Sequence, residues 1–282
     1  MPTIEEVLQG KVIHKLSKEE YADQQKTLRE SLWDIANKKY LESVSSPEKF
    51  QHYLDAQCRS THKPTNVMIG LSHYENLGEM HEMQTWEKMG KVYVKKGEHA
   101  FYIFKGDKNG FYNPVKVFEE SQLQKHPNPK SVPQYTLMEQ LDLITKGTKS
   151  LCMVEQVQEG EQSVYYNPES SQIEVDHTLS IDQTLQGLIR EYCHESYAQK
   201  FEYDRQEVSF SCDCAAYMIC KKIGVEPDCT FLNDVQSYFH GAESNEIREE
   251  FEAVYQTYKS VSDRIDKAIY LAKKEKVAEQ EK

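Results

Sequence analysis

The sequence predicts an α+β protein of two units, a small helix-plus-sheet module followed by a mainly helical domain. Three observations predict it. Apolar residues recur at helical spacing near both ends of the chain, as in EEYADQQKTLRESLWDIANKKYLES and IREEFEAVYQTYKSVSDRIDKAIYLAKK. Between them, from Met83 to Phe118, that period gives way to short β-rich runs broken by glycine. The stretch KHPNPKSVPQY at 125–135 then holds three prolines, the natural place for a boundary. A chain of 282 residues suits two ordinary domains. The division that follows is a helical segment 1–44, a module 45–125, a Pro-rich linker 126–136 and a second domain 137–282.

Each element has its own signal. Tyr21, Leu28, Leu32, Ile35 and Tyr40 fall near one helical face. Ser46-Pro47-Glu48 is a helix start, with a capping serine and proline at the first helical position. That helix carries Phe50, Tyr53 and Leu54, and another begins near Pro64 and runs through Asn66, Met68, Ile69 and Leu71. From Met83 onward strands are expected: a turn at Lys95-Lys96-Gly97, a buried strand at AFYIF, a turn at Asp107–Gly110 and a strand around Val115 and Val117. A helix over Leu137–Ile144 precedes strands at LCMVEQV and SVYYNPESSQIEV, with Asn167-Pro168 at a turn. From Ser180 the chain reads as helix, with Gly224 ending one helix and an amphipathic one closing the chain. The tail KKEKVAEQEK is expected to fray.

Composition excludes several classes. Hydrophobic residues make up 38%, with 18 Tyr, so the chain is not of disordered type. No apolar run reaches membrane-spanning length, so no membrane partner is expected. MPTIEEVLQGKVIHKLSKEE has no apolar signal-peptide core, which places the protein in the cytoplasm. Seven cysteines form no regular framework and are expected as free thiols. The alternative, a metal contact by Cys212 and Cys214, lacks the second pair that such sites use. The net charge of −12 argues against a protein that coats DNA nonspecifically. The acid is unevenly spread, however. Pro47–Lys125 holds 11 Lys+Arg against 10 Asp+Glu, so cations clustered there could still line a groove.

Lys88, Lys91, Lys95 and Lys96 surround Trp86 and Tyr93. Cations that follow phosphates and flat rings that stack on bases are what a single strand requires, and backbone N–H groups at Gly97 could add phosphate contacts. The competing reading makes Trp86 core and the lysines a solvated turn. The segment SPEKFQHYLDAQ…PTNVMIGLSHY…MQTWEKMGKVYVKKGEHAFYIF resembles the N-terminal domain of the ArdC-type antirestriction proteins and their LtrC-like relatives, over roughly residues 45–122. Its most specific part is Thr85-Trp86, Gly90 and Val94–Glu98; Asn66 fits the polar helix position, and Val117-Phe118 the closing strand. The resemblance implies binding of single-stranded DNA with little sequence preference, with Asn66, Trp86, Lys88, Lys91, Tyr93, Lys95, Lys96 and Gly97 as its residues. HKPT at 62–65 is less basic and less aromatic than the resemblance leads one to expect.

LQGLIREYCHESYAQ resembles the metal-binding helix of the zinc-peptidase (zincin) domain that follows the ArdC-type domain. There HExxH puts two histidines on one helix face to hold zinc, and the glutamate activates water. Here the pentad is Arg190-Glu191-Tyr192-Cys193-His194, with the first histidine replaced. QEVSFSCDCAAYMICKKIG resembles the next helix, whose glutamate ligand is matched by Asp213, with Glu207 a neighbouring alternative. A pentad starting at His194 fails too, because it ends in Ala198. Arginine offers only donors and cannot be a ligand. The expectation is therefore that Arg190 stands in for the ion and pairs with Asp213 or Glu191. Two alternatives stay open: an ordinary helix with an Arg–His face, and a zinc site completed by Cys193, Cys212, Cys214, His177 or His240.

Three functions compete. The first is a single-stranded DNA-binding protein of a mobile genetic element, of antirestriction or strand-protection type, with an inactive peptidase-like domain that meets host or conjugation proteins. It needs no cofactor. The second is an active zinc metallopeptidase, with Glu191 as base and His194 and Asp213 as ligands. The third is an acidic interaction protein that does not bind DNA. The first is the expectation carried forward.

Overall fold

A computed structural model describes residues 17–90, 92–106, 112–125, 134–146, 151–154 and 164–280. The first helix, α1 (Lys18–Ser43), starts at a capping box. Ser17 accepts from the Glu20 N–H while the Glu20 carboxylate accepts from the Ser17 N–H. Ser46 caps α2 (Pro47–Arg59) by accepting from the Lys49 N–H, with proline at the first helical position as the sequence predicts. α3 (Pro64–His73) is apolar nearly all round, and Val67, Met68 and Ile69 have no exposed surface.

The strand-like texture after Met83 resolves differently at first. Met83–Met89 is a helix, α4, not a strand. Met83, Trp86 and Met89 recur every third residue and converge on a small apolar cluster with Val92 and Leu123. The VYVKK stretch makes only a single bridge, Val94 to Leu123. The Lys95–Glu98 turn does form, with Gly97 at φ +91, a left-handed conformation that glycine adopts without strain. AFYIF falls on β2 (Phe101–Gly106), which pairs antiparallel with β3 (Tyr112–Glu119) in the register Phe101↔Val117 to Gly106↔Tyr112. The two-residue β1 (Met80–His81) adds to the other edge of β3, giving the order β1-β3-β2. The expected turn at Asp107–Gly110, the linker over 126–133 and helix before residue 17 lie outside the described residues.

Beyond them come α5 (Leu137–Thr145) and a second sheet ordered β4-β6-β5, from β4 (Leu151–Val154), β5 (Val164–Asn167) and β6 (Gln172–Asp176). β5 and β6 are antiparallel and β4 is parallel to β6. Three helices dominate the rest. α6 (Ile181–Ala198) starts at a Ser180–Gln183 capping box. α7 (Arg205–Ile223) starts at Asp204 and ends at Gly224, φ 78. α8 (Val235–Tyr238) is a single turn, and α9 (Ser244–Gln280) continues through the stretch expected to fray.

One apolar core runs through both halves. α9 packs chiefly on α7 and α6, and also on α1 and α3. At the centre Phe251 of α9 stacks on Tyr53 of α2, with ring centroids 4.3 Å apart, and Phe50, Phe210 and Phe239 close around them. None of the helices among the described residues is long and apolar enough to cross a membrane.

Candidate functional site

The helix pair α6–α7 carries the residues expected at a metal centre. Leu185, Leu188 and Ile189 bury one face of α6 and fix its rotation. On the opposite side α6 lies flush on β5. A Cβ built on Gly187 would fall 2.5 Å from a Val164 methyl, so only glycine allows this approach. Arg190, Glu191 and His194 are thereby aimed at the start and middle of α7.

Each carboxylate there meets an arginine. Arg190 donates from Nε to Asp213 Oδ1 at 2.6 Å and from Nη2 to Oδ2 at 3.2 Å, a two-pronged pair joining the helices. Burial disfavours the charge on Arg190, but the Asp213 carboxylate outweighs it and holds the guanidinium pKa up. Burial lifts the Asp213 carboxyl above its ordinary value, against the pull of Arg190. Of these two directions the arginine's decides, since its hydrogen bonds need the ionised pair. Of the two partners foreseen for Arg190, Asp213 is the one it takes.

Glu191 pairs elsewhere. Arg205, the first residue of α7, donates from Nη1 and Nη2 to its two oxygens at 2.9 and 2.6 Å. The Tyr166 N–H of β5 donates to the same carboxylate at 2.7 Å. The Glu191 side chain is 2% exposed. A general base must reach water in contact with substrate. This carboxylate is instead spent holding α6, α7 and β5 together.

His194 has no exposed surface, and its Nδ1 shares a hydrogen bond of 3.2 Å with the Tyr203 hydroxyl. Its Nε2 has no hydrogen-bond partner among the described residues. Burial first, and then the charges of Arg205 and Arg190, push its pKa down to about 2, so the ring stays neutral.

These residues do not fit a metal ion. A cation held by His194 and Asp213 would have to displace the Arg190 guanidinium and lie between two arginines. The reserve ligands do not converge either. Glu207, His177 and His240 are exposed, while Cys193, Cys212 and Cys214 are buried thiols whose pKa values burial raises. No group of three His, Cys, Asp or Glu among the described residues is placed to hold a metal. Arg190 and Asp213 instead form part of the wall of a cavity of about 430 Å³ that Tyr217, Glu226, Asp228 and Phe231 also line.

Across residues 45–125 the expected strand-binding residues separate. Trp86 has no exposed surface, and its indole N–H donates to the Phe118 carbonyl at 3.0 Å. A ring with no free face cannot stack on a base, so Trp86 is a core residue; sequence alone could not tell the two apart. Asn66 is 8% exposed and pairs with the backbone of Phe104, donating to its carbonyl at 2.7 Å and accepting from its N–H at 2.8 Å. It therefore fixes β2 against α3. Tyr93 is 66% exposed, and Lys88, Lys95, Lys96 and Gly97 are exposed around it. The Lys95 ammonium donates to the Ser121 carbonyl at 2.7 Å. Lys91 lies outside the described residues.

Sequence reasoning missed Arg205 altogether. Its place after the capping Asp204 was readable, but its reach to Glu191, 14 residues earlier, was not. It also missed a groove of about 750 Å³ between α1, the start of α3, β2–β3 and α9, lined by Trp33, Lys63, Lys105, Tyr112 and Arg248 among others. These come from four separate segments with no common motif.

A helical layer closing on a three-stranded antiparallel sheet, followed by a mixed sheet backed by a helix pair, defines an α+β architecture of the ArdC type. The Mn(II)-bound crystal structure of the antirestriction protein ArdC from the R388 plasmid has this fold, with a TM-score of 0.51 and 16% identity over 78% of this chain and 97% of that one. The metal-free structure of the same protein aligns at a TM-score of 0.47 and 13% identity, over 83% of this chain and 98% of that one. At such identities the likeness is one of fold. No family model and no curated protein matches the chain.

Proposed function

We propose that this chain is a single-stranded DNA-binding protein of a plasmid or conjugative transposon, of antirestriction or strand-protection type, whose zincin-like helix pair serves as a scaffold and not as a peptidase. The observation that carries the reading is the Arg190–Asp213 pair. It joins the two helices where a metal-dependent enzyme would need ligands, so the architecture stands without the ion. The fold shared with an antirestriction protein supplies the class of function. The near-neutral first module, with its exposed lysines and Tyr93, supports a nucleic-acid partner. The rest of the chain, which carries most of the net acid, is the part left to meet host or conjugation proteins.

The rival is an active zinc peptidase with Glu191 as base. The unpartnered Nε2 of His194 favours it, since this is the atom a histidine ligand offers. Arg205 opposes it by closing on Glu191. The test is a titration of a fluorescent single-stranded oligonucleotide at two salt concentrations, with metal measured on the same sample. Binding that weakens with salt in a metal-poor protein is the expected result. One tightly held zinc per chain and no binding at low salt would overturn the reading.

A further inference from the structure

We propose that the single strand lies not at the Lys95–Lys96 turn but in the groove between α1 and α9, with a base on Tyr112 and a phosphate on Arg248. This rests on the strand-binding reading above and adds the place and the residues.

The groove supplies what a strand needs in one concavity. Its wall is aromatic: Trp33 of α1 packs on Phe104 of β2 with centroids 4.8 Å apart, and Tyr112 of β3 meets Phe104 edge to face at 6.2 Å. Tyr112 is 45% exposed, so its ring is open to a base, while its neighbours hold the wall rigid. Asn66 fixes the peptide of Phe104 from below, which ties this wall to α3. The residue the sequence singled out for DNA contact thus shapes the groove floor.

The cations stand opposite. The Arg248 guanidinium lies 5.2 Å from the Trp33 ring centre and has no carboxylate partner among the described residues. Glu249 and Glu252 line the same groove, but Arg248, oriented by an aromatic face and in no ion pair among the described residues, is the cation there most open to a phosphate. Lys63 pairs with Glu252 at 3.2 Å, and Lys105 pairs with Glu82. The Lys105–Glu82 pair is exposed and Glu252 is 29% exposed, so solvent weakens both pairs and a phosphate can compete with the carboxylate in either. Lys63 also stands at the N-terminus of α3, which no side chain caps, so the dipole of a ten-residue helix adds positive potential on the same side. The Lys95–Lys96 turn is poorer by comparison. Its expected stacking ring, Trp86, is buried, and Lys95 is engaged with Ser121. About 750 Å³ accommodates a nucleotide.

The test uses the full chain, with circular dichroism to confirm that each variant is folded. Binding of fluorescein-labelled oligothymidylate is measured for wild type, Tyr112→Ser, Arg248→Gln and the control Lys95→Gln/Lys96→Gln. Tyr112→Ser should weaken binding by at least about fivefold, the lower end for one stacked base. Arg248→Gln should weaken it and reduce the slope of log affinity against log salt by about 0.7, the value for one phosphate contact on a single strand. The control should bind nearly as wild type does. Strong binding lost only in the control would overturn the groove and leave the strand-binding reading intact. Displacement of the strand by duplex as readily as by unlabelled single strand would also overturn it, because stacking on Tyr112 needs an unpaired base. No binding by wild type at low salt would remove both.

Discussion

Arg205 and Glu191 meet through two hydrogen bonds, 2.9 and 2.6 Å long, and the residue a peptidase would use as its base becomes half of a buried ion pair. Removing either partner takes the counter-ion from the other's buried charge, which costs about 3–5 kcal/mol in buried pairs. Glu191→Ala and Arg205→Ala should each lower the unfolding free energy by about this amount in urea titration. The double variant Glu191→Leu/Arg205→Met should recover much of it, since apolar residues of similar volume often replace such a pair at little cost. A Glu191→Ala protein as stable as wild type would show that the pair holds nothing together.

The Arg190–Asp213 pair predicts a different response. Its side chains are 38% and 24% exposed, so solvent weakens it. Arg190→Ala should cost about 1–2 kcal/mol, between exposed pairs at about 0–1 and buried pairs at about 3–5. Prolonged treatment with a chelator should leave the thermal midpoint unchanged, because the pair and not an ion joins the helices. A midpoint that falls on chelation and returns with zinc or manganese would restore the metal to the site.

Acid should act through His194. Its ordinary pKa is near 6.5, and in the folded protein burial and two arginines lower it to about 2. Between those values the unfolded chain binds the proton and the folded chain does not. Stability therefore falls as pH drops below about 6.5, with a limiting slope of about 1.4 kcal/mol per pH unit from this residue. Urea unfolding at pH 7 and pH 5 should show this loss in wild type and a smaller loss in His194→Gln. Equal losses in the two proteins would mean that the ring titrates normally in the fold.

Gly187 tests the seat of α6 on the second sheet. A Cβ there would stand 2.5 and 2.7 Å from Val164 atoms, so Gly187→Ala must push helix and strand apart. The expected cost is about 1–3 kcal/mol, despite alanine's better helix propensity. Gly187→Ala/Val164→Ala should regain part of that loss in the same unfolding assay.

Local signals accounted for most of the elements. Ser46-Pro47, Ser180 and Gly224 act within a turn of where they stand, and the structure places helix ends at all three. Met83–Met89 was misread because a short helix with one buried tryptophan has too few residues to display its period. At the helix pair, Arg190 facing Asp213 was legible only through the resemblance to the zinc-peptidase helices, which left Glu191 open as the other partner. Arg205 on Glu191 was not, because it depends on how the turn before α7 folds back. The groove was least legible of all. Trp33 and Arg248 lie some two hundred positions apart, and nothing local links a tryptophan in one helix to an arginine in another.

The stack of Phe251 on Tyr53 also bears on how the chain is made. The Tyr258 hydroxyl donates to the Cys58 carbonyl across 200 positions of sequence, and α9 packs on α1 and α3 as well as on α6 and α7. The first helices can pack on one another as they leave the ribosome, but the part of their apolar surface that α9 covers stays bare until α9 emerges. During that interval they depend on chaperones or on one another to avoid wrong contacts. A nascent chain arrested before Ser244 should remain sensitive to protease throughout its first half.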